Sequence, residues 1–242
     1  MSVTIKARVE SYDVTPSNLI RQSSVFRLCQ KAACDDLDNF GGSFEKLLEN
    51  NLAFVITKME ITYFKDIKTY DELEIISRPR GISGPTFVRD YEIVKDGELL
   101  AYASSYWVLI DVAKRKVKRP SSLEGVCKII PDEENIRPME MKKIRLDFET
   151  MEKVDERRVY YSHIDRNNHM NNTFYPDILF DYLPEKFKES LFGRTITIQY
   201  SSEILLGESF SVYIKEDEND FFLCARNEET QKDIFSSQIS VE

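Results

Sequence analysis

The chain has 242 residues, 42% of them hydrophobic and 31% charged, with a formal net charge of -9. That is enough for one large domain or two small ones with their own cores, and too apolar for a disordered chain. No apolar run nears the roughly 20 residues of a spanning helix, the start Met-Ser-Val-Thr-Ile-Lys lacks the regions of a secretory signal, and the acidic balance is a poor footing for general nucleic-acid binding.

Residues 3–10 alternate, with Val3, Ile5, Ala7 and Val9 on one face of a strand. Thr15-Pro16 reads as a helix start, with Thr15 as cap and Pro16 at the first helical position. Phe26, Cys29, Ala33 and Leu37 then recur at helical spacing, Gly41-Gly42 breaks the pattern, and residues 43–50 add a short second helix. From Ala53 the period becomes two, through Val55, Thr57, Met59, Ile61 and Tyr63. Residues 71–78 and 86–94 are strands as well, and Asp96-Gly97 predicts a two-residue hairpin turn into the strand 99–111. Residues 112–150 are basic, then rich in Pro, Asp and Glu, and read mostly as a surface linker.

The second half repeats the order. Strand 156–163 leads into a polar segment, then a short helix with Tyr175, Ile178, Leu179 and Tyr182 on one face, Pro176 in its first turn and Pro184 at its end. Strands follow at about 194–206, 208–216, 220–227 and 233–241. At a constant offset of 137, Tyr63 matches Tyr200, Asp66 matches Glu203, Ile67 matches Ile204, Asp71 matches Glu208, Leu73 matches Phe210 and Ile75 matches Val212. Ser104-Ser105 falls roughly where Ser236-Ser237 does. Duplication is the reading that covers both residues and order. A helix followed by sequential strands implies an α+β layer architecture, one apolar helix wrapped by sheet in each half.

Cys29, Cys34, Cys127 and Cys224 form no CxxC, which points to free thiols in a reducing cytoplasm. His163 and His169 are the only histidines, so a three-histidine zinc site is excluded, and there is no HExxH. No metal and no cofactor is expected. Both histidines lie in residues 161–175, with Asp165 and the asparagines Asn167, Asn168, Asn171 and Asn172. A strand-to-helix junction of this kind presents side chains and helix N–H groups to a ligand. Asn171 or Asn172 capping the helix explains one or two of these residues. It leaves Asp165, Asn167 and His169, at alternate positions that an extended backbone aims to one side. His163 reads as a packed histidine continuing the face of Val159 and Tyr161.

The run Asp165-Arg166-Asn167-Asn168-His169-Met170-Asn171-Asn172-Thr173-Phe174-Tyr175 resembles the active-site signature of acyl-acyl carrier protein thioesterases, double hotdog enzymes of fatty acid synthesis. The downstream Tyr200-Ser201-Ser202-Glu203 resembles the family's Tyr-x-x-Glu. The resemblance spans the chain and implies a tandem double hotdog. Its parts are an N-terminal hotdog over 1–125 holding the acyl chain, a linker over 126–150 and a catalytic hotdog over 151–242. One departure stands out: many plant members carry cysteine after that glutamate, and here the position is Ile204, which makes a Cys-His mechanism doubtful. The first half has Asp13 but no histidine.

The resemblance implies hydrolysis of a fatty acyl thioester on the phosphopantetheine arm of acyl carrier protein. His169 is suited to take a proton from water. Asp165 either orients the imidazole or attacks the thioester itself. Asn167 and the helix N–H groups after Asn171 are oxyanion donors, and Glu203 is a second base or a partner to His169. Asn171, Asn172 and Trp107 are the expected substrate-binding residues; Phe54, Val55, Met59, Phe87 and Tyr106 join Trp107 as candidates for the chain pocket. The carrier is acidic, so docking calls for a local basic patch. Lys114, Arg115 and Lys116 head the run 114–119, and Lys142, Lys143, Arg145, Arg157 and Arg158 add further positive charge. No nucleic acid or membrane partner is expected, and the chain is a monomer or homodimer. The alternatives are an acyl-CoA thioesterase, a hotdog hydratase or dehydratase, and a non-catalytic acyl-binding module.

Overall fold

A computed structural model describes residues 2–132 and 143–241. Its elements are β1 (Val3–Arg8), α1 (Gln22–Asn39), α2 (Phe44–Glu49), β2 (Leu52–Tyr63), β3 (Glu72–Ser83), β4 (Thr86–Lys95), β5 (Glu98–Asp111), β6 (Lys116–Val117), β7 (Glu152–Arg158), α3 (Tyr175–Tyr182), α4 (Glu185–Lys188), β8 (Arg194–Tyr200), β9 (Ser209–Glu216), β10 (Asp220–Asn227) and β11 (Lys232–Val241). The strands form one antiparallel sheet in the order β1-β3-β4-β5-β2-β8-β11-β10-β9-β7, with β6 an extra strand on β5. An antiparallel sheet with few helices makes this an α+β fold. Among the described residues, no helix is long and apolar enough to cross a membrane.

The order is the same read inward from either end: β1-β3-β4-β5-β2 from one side, β7-β9-β10-β11-β8 from the other. At the junction, Glu60 of β2 pairs with Thr197 of β8, and 60 plus 137 is 197. A residue that pairs with its own counterpart sits on a local two-fold axis, so the offset seen in the sequence is the symmetry of the junction. Thr197 Oγ1 donates to Glu60 Oε2 at 3.0 Å across that axis.

One core runs through both halves. In the first, Val25, Phe26, Cys29 and Ala33 of α1 share the buried cluster with Ile61, Tyr63, Ile75 and Tyr91; in the second, Tyr175, Ile178 and Leu179 of α3 share it with Ile196, Ile198, Phe210 and Val212. Burying each large apolar side chain is worth about 1.5–3 kcal/mol. One polar tie joins α1 to the sheet, Tyr63 OH donating to Gln22 Oε1 at 2.6 Å, and another joins the two helices, Ser23 N donating to Asp177 Oδ1 of α3 at 3.0 Å. The hairpin turn falls at Asp96-Gly97, both with positive φ (52° and 79°) as a twisted two-residue connection demands.

Several boundaries differ from the sequence reading, each for a local reason. Thr15-Pro16 does not start a helix. Asn18 N donates to Thr15 O at 2.9 Å, closing a turn with Pro16 at its second position, and α1 begins at Gln22. The strand read at 156–163 lies at Glu152–Arg158, an exposed edge whose pairing with β9 leaves no hydrophobic period to read. His163 is not in it: His163 N donates to Tyr160 O at 2.9 Å, making a 3-10 turn over Tyr161–His163. The strand read at 194–206 stops at Tyr200, where Ser201 and Ser202 both donate to Ile234 O.

The register of β11 on β8 puts Ser237 at the counterpart of Ala103, so Ser236-Ser237 and Ser104-Ser105 are two residues out of correspondence. Residues 112–127 are not a loose surface linker. β6 pairs with β5, and Leu123 and Val126 bury against Leu47, Leu52, Phe87 and Leu109 in a second small core. Residues 133–142, including Lys142 and much of the expected linker, lie outside the described residues.

Candidate active site

Residues 164–171 form a small hairpin between the Tyr161–His163 turn and the helices. Ile164 bridges Met170, Asp165 N donates to His169 O at 3.1 Å, and Asn168 N donates to Asp165 O at 3.0 Å. Asn168 takes φ 64°, a left-handed conformation that asparagine tolerates better than most residues. The hairpin is fixed on two sides. His169 bridges Leu205 and Met170 N donates to Ile204 O at 3.0 Å, while Asn171 N donates to His163 O at 2.9 Å.

The turn at 165–168 means that Asp165, Asn167 and His169 do not line one side of an extended strand. Asp165 is instead ringed by amides. Its Oδ1 accepts Asn167 N at 2.8 Å, and its Oδ2 accepts Asn167 Nδ2 at 3.5 Å and Asn171 Nδ2 at 3.3 Å. Asn171 also caps the 3-10 turn Asn172–Phe174, which runs into α3: its Oδ1 accepts Thr173 N at 2.9 Å and Thr173 Oγ1 at 2.7 Å. Phe174 N goes to Asn171 O. The cap thus takes two of the N–H groups expected to be open to a ligand, and that of Asn172 is left without an acceptor among the described residues.

His169 is half-buried, and its Nδ1 lies 3.3 Å from Met170 O. A carbonyl only accepts, so this contact is a hydrogen bond in the tautomer that carries its proton on Nδ1, and in that tautomer Nε2 is the basic nitrogen. The Asp165 carboxylate is turned to the Asn167 and Asn171 amides, and no hydrogen bond joins it to this ring among the described residues. Beneath the hairpin Tyr175 is buried, stacked on Phe235 with ring centroids 4.7 Å apart. Its phenol is pushed up first by burial, then by the negative charges of Asp165 and Glu203. Both carboxylates therefore act on the same buried ring. Tyr200 OH donates to Asn172 O at 3.3 Å, tying the Tyr-x-x-Glu stretch to the hairpin. Glu203 forms an ion pair with Arg115, which comes from the turn after β5 in the other half.

His163 is packed, with rings of Tyr160 and Phe174 beside it and Nδ1 accepting Tyr160 N at 3.2 Å. Burial, then the Arg157 charge, pushes its pKa down. Trp107 keeps its contacts in the first half: Nε1 donates to Ser105 Oγ at 2.7 Å, and Ile56 and Phe87 are its strand partners. Of the pocket candidates, Met59 and Phe87 are buried, Phe54, Tyr106 and Trp107 half-buried, and Val55 is exposed. Lys114, Arg115 and Lys116 are exposed on the turn into β6. No group of metal-binding side chains occurs among the described residues.

The first half carries the same hairpin with other side chains, at an offset of 150. Val14 bridges Ile20, Thr15 N donates to Leu19 O at 2.8 Å, Asn18 has φ 57°, Ile20 N donates to Ile67 O at 2.9 Å and Arg21 N donates to Asp13 O at 2.7 Å. Thr15, Leu19 and Arg21 thus stand where Asp165, His169 and Asn171 do, and Asp13 is the counterpart of His163. Asp66, the counterpart of Glu203, is locked in place by Ser190 Oγ at 2.9 Å, Leu191 N at 2.8 Å and Phe192 N at 3.3 Å. The sequence signal for this hairpin was Asn18 against Asn168, missed because the offset there is 150 and not 137. One backbone serves both halves, so the fold does not require the Asp-Asn-His-Asn set; only the second hairpin carries it.

Family models for the acyl-ACP thioesterase N-terminal domain and C-terminal domain match residues 2–128 and 147–240. The palmitoyl-acyl carrier protein thioesterase of Arabidopsis thaliana chloroplasts is 24% identical over 214 residues, covering 81% of this chain and 50% of its own length. Oleoyl-acyl carrier protein thioesterase 2 of the same plant is 25% identical over 214 residues, covering 81% and 58%. The chain spans about half the length of the curated relatives it matches. Among solved structures, an acyl-ACP thioesterase from Bacteroides thetaiotaomicron superposes with a TM-score of 0.80 at 18% identity, covering 100% of this chain and 98% of that one. The 12:0-ACP thioesterase from Umbellularia californica gives 0.79 at 16%, covering 100% and 97%. At these identities the structures share the fold.

Proposed function

Because the chain belongs to the acyl-ACP thioesterase family, we propose that it hydrolyses fatty acyl-acyl carrier protein to free fatty acid and holo-carrier protein, as a step of fatty acid biosynthesis. The fold is then a tandem double hotdog: residues 1–125 hold the acyl chain, 126–150 link, and 151–242 carry the chemistry. Four unpaired thiols suit a reducing compartment such as the cytoplasm.

The observation that carries this reading is the contrast between the two hairpins. They share their backbone bonds, and only the second bears an imidazole, an amide-ringed carboxylate and a glutamate not locked by backbone N–H groups. His169 Nε2 takes a proton from water, whose oxygen adds to the thioester carbonyl carbon. The tetrahedral oxyanion is met by the Asn167 amide and the Asn172 N–H. The C–S bond then breaks, the imidazolium returns its proton to the thiolate, and acid and thiol leave.

Three N–H bonds to Asp165 make it a weak nucleophile, which favours activated water over an anhydride. Glu203 shares the electrostatic field of the site and steadies the positive charge on His169. Docking of the acidic carrier falls to the basic turn that presents Lys114 and Lys116.

The test is thiol release over a ladder of saturated acyl chains presented on carrier protein, with the same acyl groups on coenzyme A and with hydroxyacyl thioesters in parallel. The proposal expects release that depends on chain length and is faster from carrier protein. Release only from coenzyme A, loss of water from hydroxyacyl substrates, or binding without release would each replace it.

A further inference from the structure

We propose that Arg115 is a positioning residue for Glu203, and that carrier docking on the basic turn belongs to its neighbours Lys114 and Lys116. The inference rests on the reading of Glu203 as part of the catalytic group. The ion pair joins residues 88 apart in sequence, one from the first half and one from the second, so the basic turn reaches into the site of the other hotdog.

The turn is built to deliver that side chain. Asp111, buried at the end of β5, accepts Asn51 Nδ2 at 2.7 Å and Lys114 N at 2.9 Å through Oδ1. Asn51 in turn accepts Val112 N at 3.1 Å and Ala113 N at 3.0 Å. Pairing of β6 with Ile110 and Asp111 closes the far side. Between these anchors Arg115 takes φ 51°. A left-handed backbone is unfavourable for a long side chain and persists where the surroundings enforce it.

The two halves again supply the comparison. Asp66 is held by two backbone N–H groups and a serine hydroxyl, whereas Glu203 has the Arg115 guanidinium as its one hydrogen-bonding partner among the described residues. Lys114 and Lys116 flank it, exposed and without an ion pair among the described residues. A guanidinium already engaged by Glu203 is less open to a carrier's carboxylates than the two ammonium groups beside it. Exposed pairs contribute little to folding, so removing Arg115 acts on Glu203's orientation and leaves the melting temperature near that of the wild type.

The experiment measures kcat and KM on an acyl-carrier thioester and on the same acyl group carried by N-acetylcysteamine. For Arg115→Ala, kcat falls roughly 10-fold on both substrates, inside the 10²-fold that a misplaced catalytic group can cost, while KM for the carrier substrate barely moves. Arg115→Lys recovers most of the rate. Combined with Glu203→Gln, Arg115→Ala adds no further loss, because the two side chains act as a unit. Lys114→Ala with Lys116→Ala raises KM for the carrier substrate.

An Arg115→Ala enzyme with raised carrier KM and intact kcat, or a loss that multiplies with that of Glu203→Gln, overturns the inference alone. Full kcat in Glu203→Gln by itself removes the role of Glu203 and this inference with it. A wild-type protein that cleaves no thioester removes the functional reading.

Discussion

Asn171 holds two structures at once. Its Oδ1 caps Thr173 through N at 2.9 Å and Oγ1 at 2.7 Å, while its Nδ2 donates to Asp165 at 3.3 Å. Asn171→Ala removes all three bonds. A lost cap costs about 0.5–2 kcal/mol. Thr173 is buried, and leaving its hydroxyl unpaired adds about 1 kcal/mol. The long bond to Asp165 adds less. The sum is about 2 kcal/mol, or a melting temperature lower by about 4–8 °C for a chain of this size. Asn171→Asp separates the two roles: an oxygen remains to cap Thr173, but a second carboxylate now faces Asp165. It should melt above Asn171→Ala and yet lose turnover. Thermal melts and thiol release on the three proteins measure both quantities. An Asn171→Ala protein that melts within about 1 °C of the wild type would refute the reasoning, since a lost cap cannot cost so little.

Three further outcomes are expected. Asn168→Gly should keep fold and activity, whereas Asn168→Val should cost about 1–2 kcal/mol because φ 64° forces a β-branched residue into the left-handed region; equal urea midpoints for the two would count against the turn. Burial and the Arg157 charge hold the His163 pKa below 6.5 in the folded chain. The unfolded chain then binds more protons as the pH falls, so this contribution to stability is complete above about pH 6.5 and declines below it. Urea midpoints at pH 7.5 and 5.5 should differ less in His163→Gln than in the wild type, and identical differences would sink the idea. Burial pushes all four thiols up, Cys224 to about 12, so little thiolate exists at neutral pH. Iodoacetamide at pH 7 should leave turnover intact, and stoichiometric inactivation would revive a cysteine nucleophile.

Where hydrophobic period and burial coincide, the sequence was readable. Val25 to Ala33 in α1, Met59 to Tyr63 in β2 and the Asp96-Gly97 turn all fall where their patterns place them. β7 was placed a few residues too late because an edge strand with both faces exposed leaves no period. Thr15-Pro16 misled because a turn and a helix start use the same two residues, and hydrogen bonds several residues away decide between them. The Asp165-to-Asn172 set was legible as a group, because its residue types exceed what a cap needs. Its internal wiring was not: that Met170 O rather than Asp165 faces His169, and that Asn171 serves both Thr173 and Asp165, depends on a turn at Asn168 that composition does not reveal. Arg115 could not be linked to Glu203 at all, since the two meet only through the pairing of the halves.

The account turns on His169 Nε2 as the base. The measurement that tests it most directly is the rate of thiol release from acyl-carrier protein by His169→Ala, with melting temperature and acyl binding measured on the same preparation. The expected result is a kcat lower by about 10²–10⁴, the worth of a positioned base, with fold and binding retained. A folded His169→Ala protein that releases thiol within about threefold of the wild-type rate would contradict it, because no positioned base is worth so little.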